Sequence, residues 1–477
     1  MNHMMNEITR LYEAFVKSFP YQPTQKQGEL FKKLADFIVN GGSNGLFLMK
    51  GYAGTGKTTV ISTIVNNLPL LETRSVLLAP TGRAAKVMGS YAKRQAFTIH
   101  KKIYFPKKST HGGMSFVLQK NKHQNTIFIV DEASMIPDTN VDAKLFENSS
   151  LLSDLLSYVY SGKNCRLIFV GDTAQLPPVK LDLSPALDKQ VLESQFGLKV
   201  YSLELDEVMR QHESSGILNC ATHIRNMSSG HLFNQFQFDL DFKDVIRLTD
   251  GYDIQDAIFN AYNSGIENTV FIVRSNKRAN QYNQQIRNSI LGYENEITTG
   301  DYVMVVKNNY FWLKDSPEVG FIANGDICEI LEIFAFKDLY GFQFAEVKLR
   351  LVDYDQQQPF ETVLLLNTLH SESPSLTFDE SNRLYHEVAK DYIEESSKYK
   401  RMMAIKNNPF FNALQIKFSY AMTCHKTQGG QWKNVFIEQP YLPDGEDISY
   451  LRWLYTAVTR AQEKLFLIGF KEDYFEE

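Results

Sequence analysis

One glycine-rich segment near residue 50 constrains the fold more than any other feature of this chain. Residues Gly51–Thr59, GYAGTGKTT, match the pattern GxxxxGK(S/T). The apolar run Leu46–Lys50 precedes the segment, and the amphipathic stretch Val60–Asn67 follows it. A strand, a glycine-rich turn and a helix in this order let backbone N–H groups turn inward around a phosphate. We therefore expect a nucleotide-binding α/β domain, with Lys57 on the outer phosphate oxygens and the Thr58 hydroxyl on Mg²⁺.

Further apolar runs extend this α/β pattern. Early runs occur at Val76–Ala79, Ile127–Val130 and Leu167–Val170. Each is apolar on both faces, which is typical of buried parallel strands. Helix-length segments separate most of them, which predicts a doubly wound sheet. Later runs predict a second α/β domain: Thr269–Val273, Asn434–Glu438 and Lys464–Gly469.

The pattern changes between residues 296 and 411. Short alternating runs predict strands at Tyr302–Lys307, Ile327–Ile333, Phe342–Leu351 and Glu361–Leu366. A charged stretch, Phe378–Lys406, follows them and is predicted to be helical. We interpret the region as a small β-rich insertion with a helical appendage.

Composition narrows the class of protein. The 477 residues carry a net charge of −5, so polyanion binding must come from local patches. There is no run of 18 apolar residues and no secretion-type N-terminus. The four cysteines lie far apart without a CxxC pair, which argues against a disulfide framework, zinc or an iron–sulfur cluster. A cytoplasmic location is expected.

A second chemical motif follows the apolar run Ile127–Val130. It consists of the two acidic residues Asp131 and Glu132. A carboxylate at a strand end can hold Mg²⁺ through water, and its neighbour can orient or deprotonate an attacking water. Alone, such a pair is often a solvated strand terminus. Together with the phosphate segment it predicts nucleotide hydrolysis, with Thr58 and Asp131 as the magnesium residues.

Eight motifs in one order then carry a resemblance to a family. They are GYAGTGKTT (51–59), LAPTGRAAK (78–86), TIH (98–100), VDEASM (130–135), GDTAQLPPV (171–179), MRQ (209–211), HKTQG (425–429) and YTAVTR (455–460). This ordered set resembles the superfamily 1 helicases of the B type, the group of RecD and phage Dda. The resemblance implies two RecA-like domains with ATP between them, single-stranded DNA across their top, and 5′→3′ movement. It also implies a chain that works as a monomer on strands and on junctions of single- and double-stranded DNA.

The resemblance assigns roles to nucleotide-site residues. Gln27 matches an adenine-reading glutamine, Gln175 a γ-phosphate sensor, and Arg210 and Arg460 two arginines that the second domain directs at the γ-phosphate. Arg460 is expected on a helix, Tyr450–Ala461, with Ser449 as N-cap. The residues expected to catalyse hydrolysis are Lys57, Asp131, Glu132, Gln175, Arg210 and Arg460. Those expected to bind ATP are Gln27, Gly51, Ala53, Gly54, Thr55, Gly56, Lys57, Thr58, Thr59, Gln428 and Gly429.

DNA contacts are expected on both domains. The window Tyr91–Val130 holds eight Lys or Arg residues, several aromatic residues, and no Asp or Glu. Cations with interleaved rings suit a single strand, although a solvated basic face has the same composition. The residues expected to touch DNA are Pro80, Thr81, Thr98, His100, Phe105, Thr423, His425 and Lys426. Residues 102–120 are expected to form a pin hairpin, with Phe105 and Phe116 as wedge candidates or as packing residues. Phe311 and Trp312 can stack on bases or fill a small core.

The expected domains follow from these patterns. They are a helical lead-in (1–20), a first RecA-like domain (21–101 and 121–185), the pin (102–120), a second RecA-like domain (186–295 and 412–477) and the insertion (296–411). The expected function is an ATP-dependent 5′→3′ DNA helicase. An RNA helicase of the same superfamily, and a strand-bound motor that does not unwind, remain alternatives.

Overall fold

The computed structural model describes residues 2–108, 114–137, 150–209, 214–316 and 319–476. The chain divides into two compact units. Unit 1 comprises Met1–Phe105, Phe116–Phe242 and Gly445–Thr459, and unit 2 comprises Pro106–Ser115, Lys243–Asp444 and Arg460–Glu477. Across the described ranges, no helix is both long enough and apolar enough to cross a membrane.

The elements alternate between helices and strands along most of the chain. The helices are α1 (Asn2–Ser18), α2 (Gln25–Asn40), α3 (Lys57–Asn67), α4 (Gly82–Ala92), α5 (Ile99–Ile103), α6 (Leu151–Tyr160), α7 (Lys189–Phe196), α8 (Gly216–Ser229), α9 (Gly251–Asn263), α10 (Asn276–Gln285), α11 (Phe378–Lys390), α12 (Lys398–Lys406), α13 (Cys424–Thr427) and α14 (Ile448–Val458). The strands are β1 (Gly45–Gly51), β2 (Arg74–Ala79), β3 (Ala96–Thr98), β4 (Tyr104–Lys108), β5 (Met114–Leu118), β6 (Gln124–Val130), β7 (Lys163–Gly171), β8 (Lys199–Leu205), β9 (Val245–Leu248), β10 (Thr269–Val273), β11 (Tyr302–Val305), β12 (Ile327–Leu339), β13 (Phe342–Leu351), β14 (Phe360–Leu365), β15 (Leu414–Phe418), β16 (Ala421–Thr423), β17 (Trp432–Glu438) and β18 (Ala461–Ile468).

Unit 1 is built on a parallel sheet. Among the described residues its strand order is β3-β2-β6-β7-β1-β8, and every pairing is parallel. Its core packs Phe31 of α2 and Ile61 of α3 with Phe47 of β1 and Ile129 of β6. Because the strands run the same way, the ends of β1, β6 and β7 lie at one edge of the sheet. The phosphate segment, Asp131 and the residues after Gly171 therefore begin at the same edge.

The expected boundary between the first and second domains at residue 185 is wrong. Strand β8 pairs with β1 in the first sheet, with Leu48 opposite Ser202. It was missed because its buried residues are interrupted by exposed Lys199 and Glu204, as suits an edge strand. Helix α14 also groups with unit 1, although the sequence assigns it to the second domain.

Unit 2 contains a second parallel sheet and a closed barrel. The sheet has the order β16-β10-β17-β18-β9, and the barrel is formed by β11 to β15. In the sheet, Phe436 stacks on Phe271 at 5.1 Å and on Phe466 at 4.4 Å between ring centroids. The expected end of the insertion at residue 411 is too early, because β15 closes the barrel against β11 and β14. The predicted fold class, two RecA-like parallel-sheet domains with a barrel-like insertion, is confirmed.

The expected helical appendage consists of two helices, α11 and α12. Thr377 and Glu380 form a reciprocal capping box that starts α11. Buried residues of both helices, among them Val388 and Ile405, pack with Phe344 of the barrel. Trp312 is partly buried against the same cluster, and its indole N–H donates to the Asn412 carbonyl at 2.8 Å. Its role in this structure is packing.

Strands β4 and β5 form a two-stranded sheet at the place expected for the hairpin. At its base, the Gln119 backbone N–H donates to the Ile103 carbonyl at 2.7 Å. The residues that connect the two strands, 109–113, lie outside the described residues. Phe116 is buried and Phe105 is 41% exposed. Of the two wedge candidates, Phe116 therefore packs and Phe105 presents its ring.

Candidate functional site

The phosphate segment between β1 and α3 has the backbone shape that anion binding requires. Gly54 and Gly56 have φ angles of 74° and 85°, in the left-handed region. A Cβ atom on Gly56 would lie 2.5 Å from the Met209 sulfur and 2.7 Å from the Gln27 amide nitrogen. The Lys57 ammonium donates to two backbone carbonyls of the same segment, those of Gly51 at 2.7 Å and Tyr52 at 2.9 Å. The lysine is therefore folded back along the loop where phosphates bind in such segments.

Gln27 supports this segment from α2. Its side-chain N–H donates to the Thr55 carbonyl at 3.0 Å, and its side-chain oxygen accepts from the Thr24 N–H at 3.0 Å. The second contact completes a capping box that begins α2. Gln27 is buried, so the structure gives it a supporting role. Its reading of adenine stays a prediction.

Asp131 is held at three points at the end of β6. Its backbone N–H donates to the Leu78 carbonyl at 3.0 Å, and its Oδ1 accepts from the Glu132 N–H at 2.9 Å. Its Oδ2 accepts from the Tyr91 hydroxyl at 2.6 Å. Burial, and then the charge of Asp131, raise the pKa of Tyr91 well above its ordinary value, so the hydroxyl stays a donor. Glu132 has a φ of 53°, a backbone strain typical of functional sites.

A second carboxylate, Asp172, connects the phosphate segment to α14. Its Oδ1 accepts from the Ala174 N–H at 2.9 Å, and its Oδ2 lies 3.9 Å from the Lys57 ammonium. The Tyr455 hydroxyl donates to the same Oδ2 at 2.7 Å and accepts from the Ala53 N–H at 2.9 Å. One tyrosine thus fixes both the phosphate segment and the loop after β7.

Gln175 lies in that loop after β7. It is buried, and its Oε1 has no hydrogen-bond partner within the described part of the chain. The next residue is anchored, because the Leu176 N–H donates to the Thr456 hydroxyl at 2.8 Å. A buried acceptor without a partner is costly unless a ligand or water completes it. The geometry fits a residue that accepts a hydrogen bond from a water near a nucleotide.

These residues fit Mg²⁺ chemistry. Thr58 is exposed on the first turn of α3, and Asp131 keeps lone pairs beyond those used by Glu132 and Tyr91. Hydroxyl, carboxylate and water oxygens are the ligands that Mg²⁺ prefers. In the described ranges, no cluster of three or more His, Cys, Asp or Glu side chains suggests a different metal centre.

Of the two expected arginines, the structure describes only Arg460. Arg210 lies outside the described residues, but its neighbour Met209 belongs to unit 1, where its N–H donates to the Gly54 carbonyl at 3.1 Å. Arg460 is buried in unit 2 and donates to the Gly430 carbonyl at 3.1 Å. The structure therefore brings Arg460 to the glycines that follow Gln428.

The expected helix around Arg460 needs correction. Helix α14 ends at Val458, so Arg460 lies in the turn before β18. The N-cap is Asp447, whose carboxylate accepts from the Tyr450 N–H at 2.8 Å, while Ser449 donates its hydroxyl to that carboxylate. The Asp447 carboxylate is the better cap, because its negative charge also interacts favourably with the positive, N-terminal end of the helix dipole.

The segment 421–431 forms the end of β16, the short α13 and the turn into β17. Thr423 is opposite Val273 at the carboxyl end of the second sheet. His425 is exposed, and partial desolvation together with the charge of Lys426 lowers its pKa. Burial lowers the pKa of Lys426 to about 8, and its ammonium donates to the Asn324 side chain in the turn before β12. Lys426, which is expected to touch DNA, is thus hydrogen-bonded to the turn that precedes barrel strand β12.

The strand-contact candidates of unit 1 converge at one sheet edge. Ala79 of β2 is opposite Thr98 of β3, so Pro80, Thr81 and His100 all follow adjacent strand ends. Thr81 caps α4 by accepting from the Ala84 N–H at 3.2 Å, and Thr98 caps α5 by accepting from the Lys101 N–H at 3.2 Å. Both helix starts favour anions such as backbone phosphates.

Sequence reasoning assigned no individual role to Asp172, Tyr455 or Asn324, and it counted Tyr91 only among the aromatic residues of the basic window Tyr91–Val130. Asp172 and Tyr455 lie inside motifs of the ordered set, so their position gave a signal. Tyr91 and Asn324 lie outside every motif, and only the fold brings them to the site.

Comparisons with known proteins agree with this arrangement. Residues 38–181 match the family described as AAA domain, and residues 418–468 match the family described as UvrD-like helicase C-terminal domain. An uncharacterized protein of Acanthamoeba polyphaga mimivirus is 26% identical over 510 aligned residues, which cover 92% of this chain and 98% of that protein.

Two characterised relatives are similarly distant. The RecBCD enzyme subunit RecD of Buchnera aphidicola subsp. Schizaphis graminum is 23% identical, covering 90% of this chain and 71% of RecD. The ATP-dependent DNA helicase dda of Enterobacteria phage T4 is 24% identical, covering 88% of this chain and 93% of the phage protein. Among solved structures, Pif1 helicases at forked double-stranded DNA align over 95% of this chain and 94% of that chain, with 15% identity and a TM-score of 0.46.

Proposed function

Because the chain belongs to the superfamily 1 helicases of the B type, we propose that it is an ATP-dependent DNA helicase. We further propose that it moves 5′→3′ on single-stranded DNA and separates duplex at a junction. The similarity to RecD and to the phage T4 helicase, which covers 90% and 88% of this chain, supports the general activity. The polarity and the unwinding step rest on the resemblance of the ordered motifs.

In this proposal, unit 1 binds the triphosphate. The N–H groups of the phosphate segment and the Lys57 ammonium hold the phosphates. Thr58 and Asp131 would hold Mg²⁺, and a bound Mg²⁺ would supply positive charge beside the transferred phosphoryl group. Glu132 orients or deprotonates the attacking water, and Gln175 accepts a hydrogen bond from it.

The arginines complete the proposed chemistry. Arg460, and Arg210 beside Met209, stabilise charge on the equatorial oxygens of the phosphoryl group, an effect worth ~10³–10⁵ in rate. Gln428 and Gly429 contact the nucleotide. The contact between Arg460 and Gly430 supports a joint role for these residues.

The strand is proposed to lie over the helix starts that follow β2 and β3. Pro80, Thr81, Thr98 and His100 face it there, and Phe105 presents a ring from β4. Thr423, His425 and Lys426 serve the same strand from the segment 421–431. Exposed ring surface and helix N-termini are the contacts that a single strand uses.

One observation carries the proposal furthest. The phosphate segment, Asp131 and the partnerless Gln175 oxygen all follow strands that end at one edge of a single parallel sheet. That arrangement supports the proposal that phosphate binding, metal binding and water positioning occur in one unit.

The direct test is ATP hydrolysis with and without single-stranded oligonucleotides of DNA and of RNA. We expect hydrolysis to require Mg²⁺ and to rise at least tenfold with DNA and much less with RNA. Equal stimulation by both would favour an RNA helicase or an unselective motor, because no reader of the 2′-hydroxyl would then be needed. No stimulation by either would contradict strand-coupled hydrolysis.

A further inference from the structure

We propose that Tyr91 is a positioning residue that fixes the magnesium carboxylate Asp131 and transmits strand binding at the start of α4 to it. This inference rests on the proposed function. Tyr91 lies outside every motif of the ordered set, so its role follows from its contacts alone.

The first step is the contact with Asp131. The Tyr91 hydroxyl reaches Oδ2 at 2.6 Å, a short hydrogen bond to a carboxylate. The other carboxylate oxygen is occupied by the Glu132 N–H. Together these donors set the rotation of the carboxylate plane, which decides where its remaining lone pairs point. A carboxylate that serves a metal depends on such outer donors for its orientation.

The second step is the anchoring of Tyr91 itself. It lies in the last turn of α4, and its backbone carbonyl accepts from the Ser62 hydroxyl of α3 at 3.3 Å. Helix α3 begins with Lys57 and Thr58, the residues proposed to hold phosphate and metal. Tyr91 is also packed against the core of unit 1. Tyr91 thus connects the end of α4 to Asp131 directly and, through Ser62, to the helix that carries Thr58.

The third step is the other end of α4. This helix is capped by Thr81, next to Pro80, where the strand is proposed to bind. An 11-residue helix is a rigid rod of about 16 Å, so a tilt at its start moves its end. A strand that pulls on Thr81 therefore shifts the Tyr91 hydroxyl relative to Asp131. This gives unit 1 its own route from strand to metal carboxylate.

The test uses the full chain with Tyr91→Phe, which removes only the hydroxyl. A fluorescent, non-hydrolysable ATP analogue is titrated first in EDTA and then at increasing Mg²⁺. We expect unchanged binding in EDTA and an Mg²⁺ midpoint that rises about tenfold, the lower end of what loss of an outer donor costs. This readout needs no turnover.

Tyr160→Phe is the matched control. The Tyr160 hydroxyl donates to the Gly45 carbonyl at 3.0 Å, at the start of β1 and away from the phosphate segment. Its loss removes one partly buried hydrogen bond from the same unit. We expect the Mg²⁺ midpoint of this variant to equal that of the parent protein.

Repeating the titration with single-stranded DNA tests transmission. If strand binding acts on Asp131, DNA must change the affinity for Mg²⁺, because coupling between two ligands is reciprocal. DNA should therefore shift the Mg²⁺ midpoint of the parent protein. The shift should disappear in Tyr91→Phe, which lacks the hydroxyl that contacts Asp131. If the midpoint rises in the variant but the DNA shift survives, transmission through α4 is overturned.

Two further outcomes separate the inference from the proposed function. A variant that unfolds at a lower temperature but keeps the parent's Mg²⁺ midpoint makes Tyr91 merely structural, and the inference fails alone. A parent protein whose analogue binding ignores Mg²⁺ overturns the proposed function together with the inference.

Discussion

The Lys57 ammonium has protein partners in the phosphate segment when no nucleotide is bound. Its ammonium occupies two backbone carbonyls of the segment and lies near the carboxylate of Asp172. These contacts keep the charge within the loop, where a nucleotide phosphate can replace them as a partner. The lysine is thus positioned before ATP arrives, which lowers the entropy lost on binding.

Lys57→Ala should therefore lower ATP turnover by ~10²–10³ or more, because a donor directed at developing charge is lost. Binding of single-stranded DNA should stay within about twofold of the parent protein. Lys33→Ala is the control, since Lys33 is an exposed residue of α2 whose ion pair with Glu29, at 3.0 Å, is solvated and contributes little to stability. Hydrolysis that persists in Lys57→Ala would contradict the assignment of this segment to ATP.

Lys426 predicts a pH dependence of strand binding. Because its pKa is lowered to about 8, its charge is present below pH 8 and is lost as the pH rises above it. Strand affinity, measured by fluorescence anisotropy, should weaken between pH 7 and pH 9. Lys426→Arg should flatten this change, since a guanidinium stays charged throughout. His425 titrates below this window, because its pKa is lowered from the ordinary value. Identical pH profiles for parent and arginine variant would remove Lys426 from the strand site.

At the scale of elements, α14 is tied to the phosphate segment by a single hydroxyl. The Tyr455 hydroxyl satisfies both the Ala53 N–H and the Asp172 carboxylate in a buried setting. Tyr455→Phe leaves two buried polar groups without this partner, which costs about 1–3 kcal/mol. Amide hydrogen exchange of residues 445–459 should accelerate about 5- to 150-fold. Tyr21→Phe, at a half-exposed ring, should leave exchange unchanged. If Tyr455→Phe also leaves it unchanged, the Tyr455 hydroxyl does not hold α14 in place.

The hairpin of β4 and β5 predicts a separation of two activities. Tyr104, Phe116 and Gln119 anchor its base, because Tyr104 donates to Asp154 at 2.6 Å and Gln119 to Ile103. Replacing Phe105–Ser115 by a short Gly/Ser linker keeps these anchors and removes the exposed Phe105 ring. We expect DNA-stimulated hydrolysis to stay within about threefold while strand separation is lost. Unwinding that survives would place the wedge elsewhere, and collapse of hydrolysis would make the segment part of the strand floor.

Element by element, strands that are apolar on both faces were predictable and edge or barrel-closing strands were not. Strands β1, β6, β7 and β10 were all placed from such runs. Strand β8 has no continuous apolar run, because Lys199 and Glu204 are exposed, and β15 is followed after only two residues by β16. Both were therefore assigned to the wrong domain. Pairing between strands distant in sequence has no local signal.

At the scale of the whole molecule, the ordered motifs predicted the phosphate segment, the carboxylate pair and the Gln175 loop. They predicted the residues that are proposed to touch ligand but not those that hold these residues in place. Tyr91 and Asn324 act through contacts across 40 and 102 residues of chain, which no spacing rule contains. Outer contacts depend on the packing of a particular chain, so they follow from structure and not from motif.

At this scale the whole chain is proposed to use ATP hydrolysis to separate strands from a single-stranded tail. The most direct measurement compares strand displacement on duplexes with a 5′ tail, a 3′ tail or no tail, in Mg²⁺ and ATP. We predict displacement of the 5′-tailed duplex only, and none with Lys57→Ala. Equal displacement of 3′-tailed duplex, or displacement without ATP, would contradict the claim.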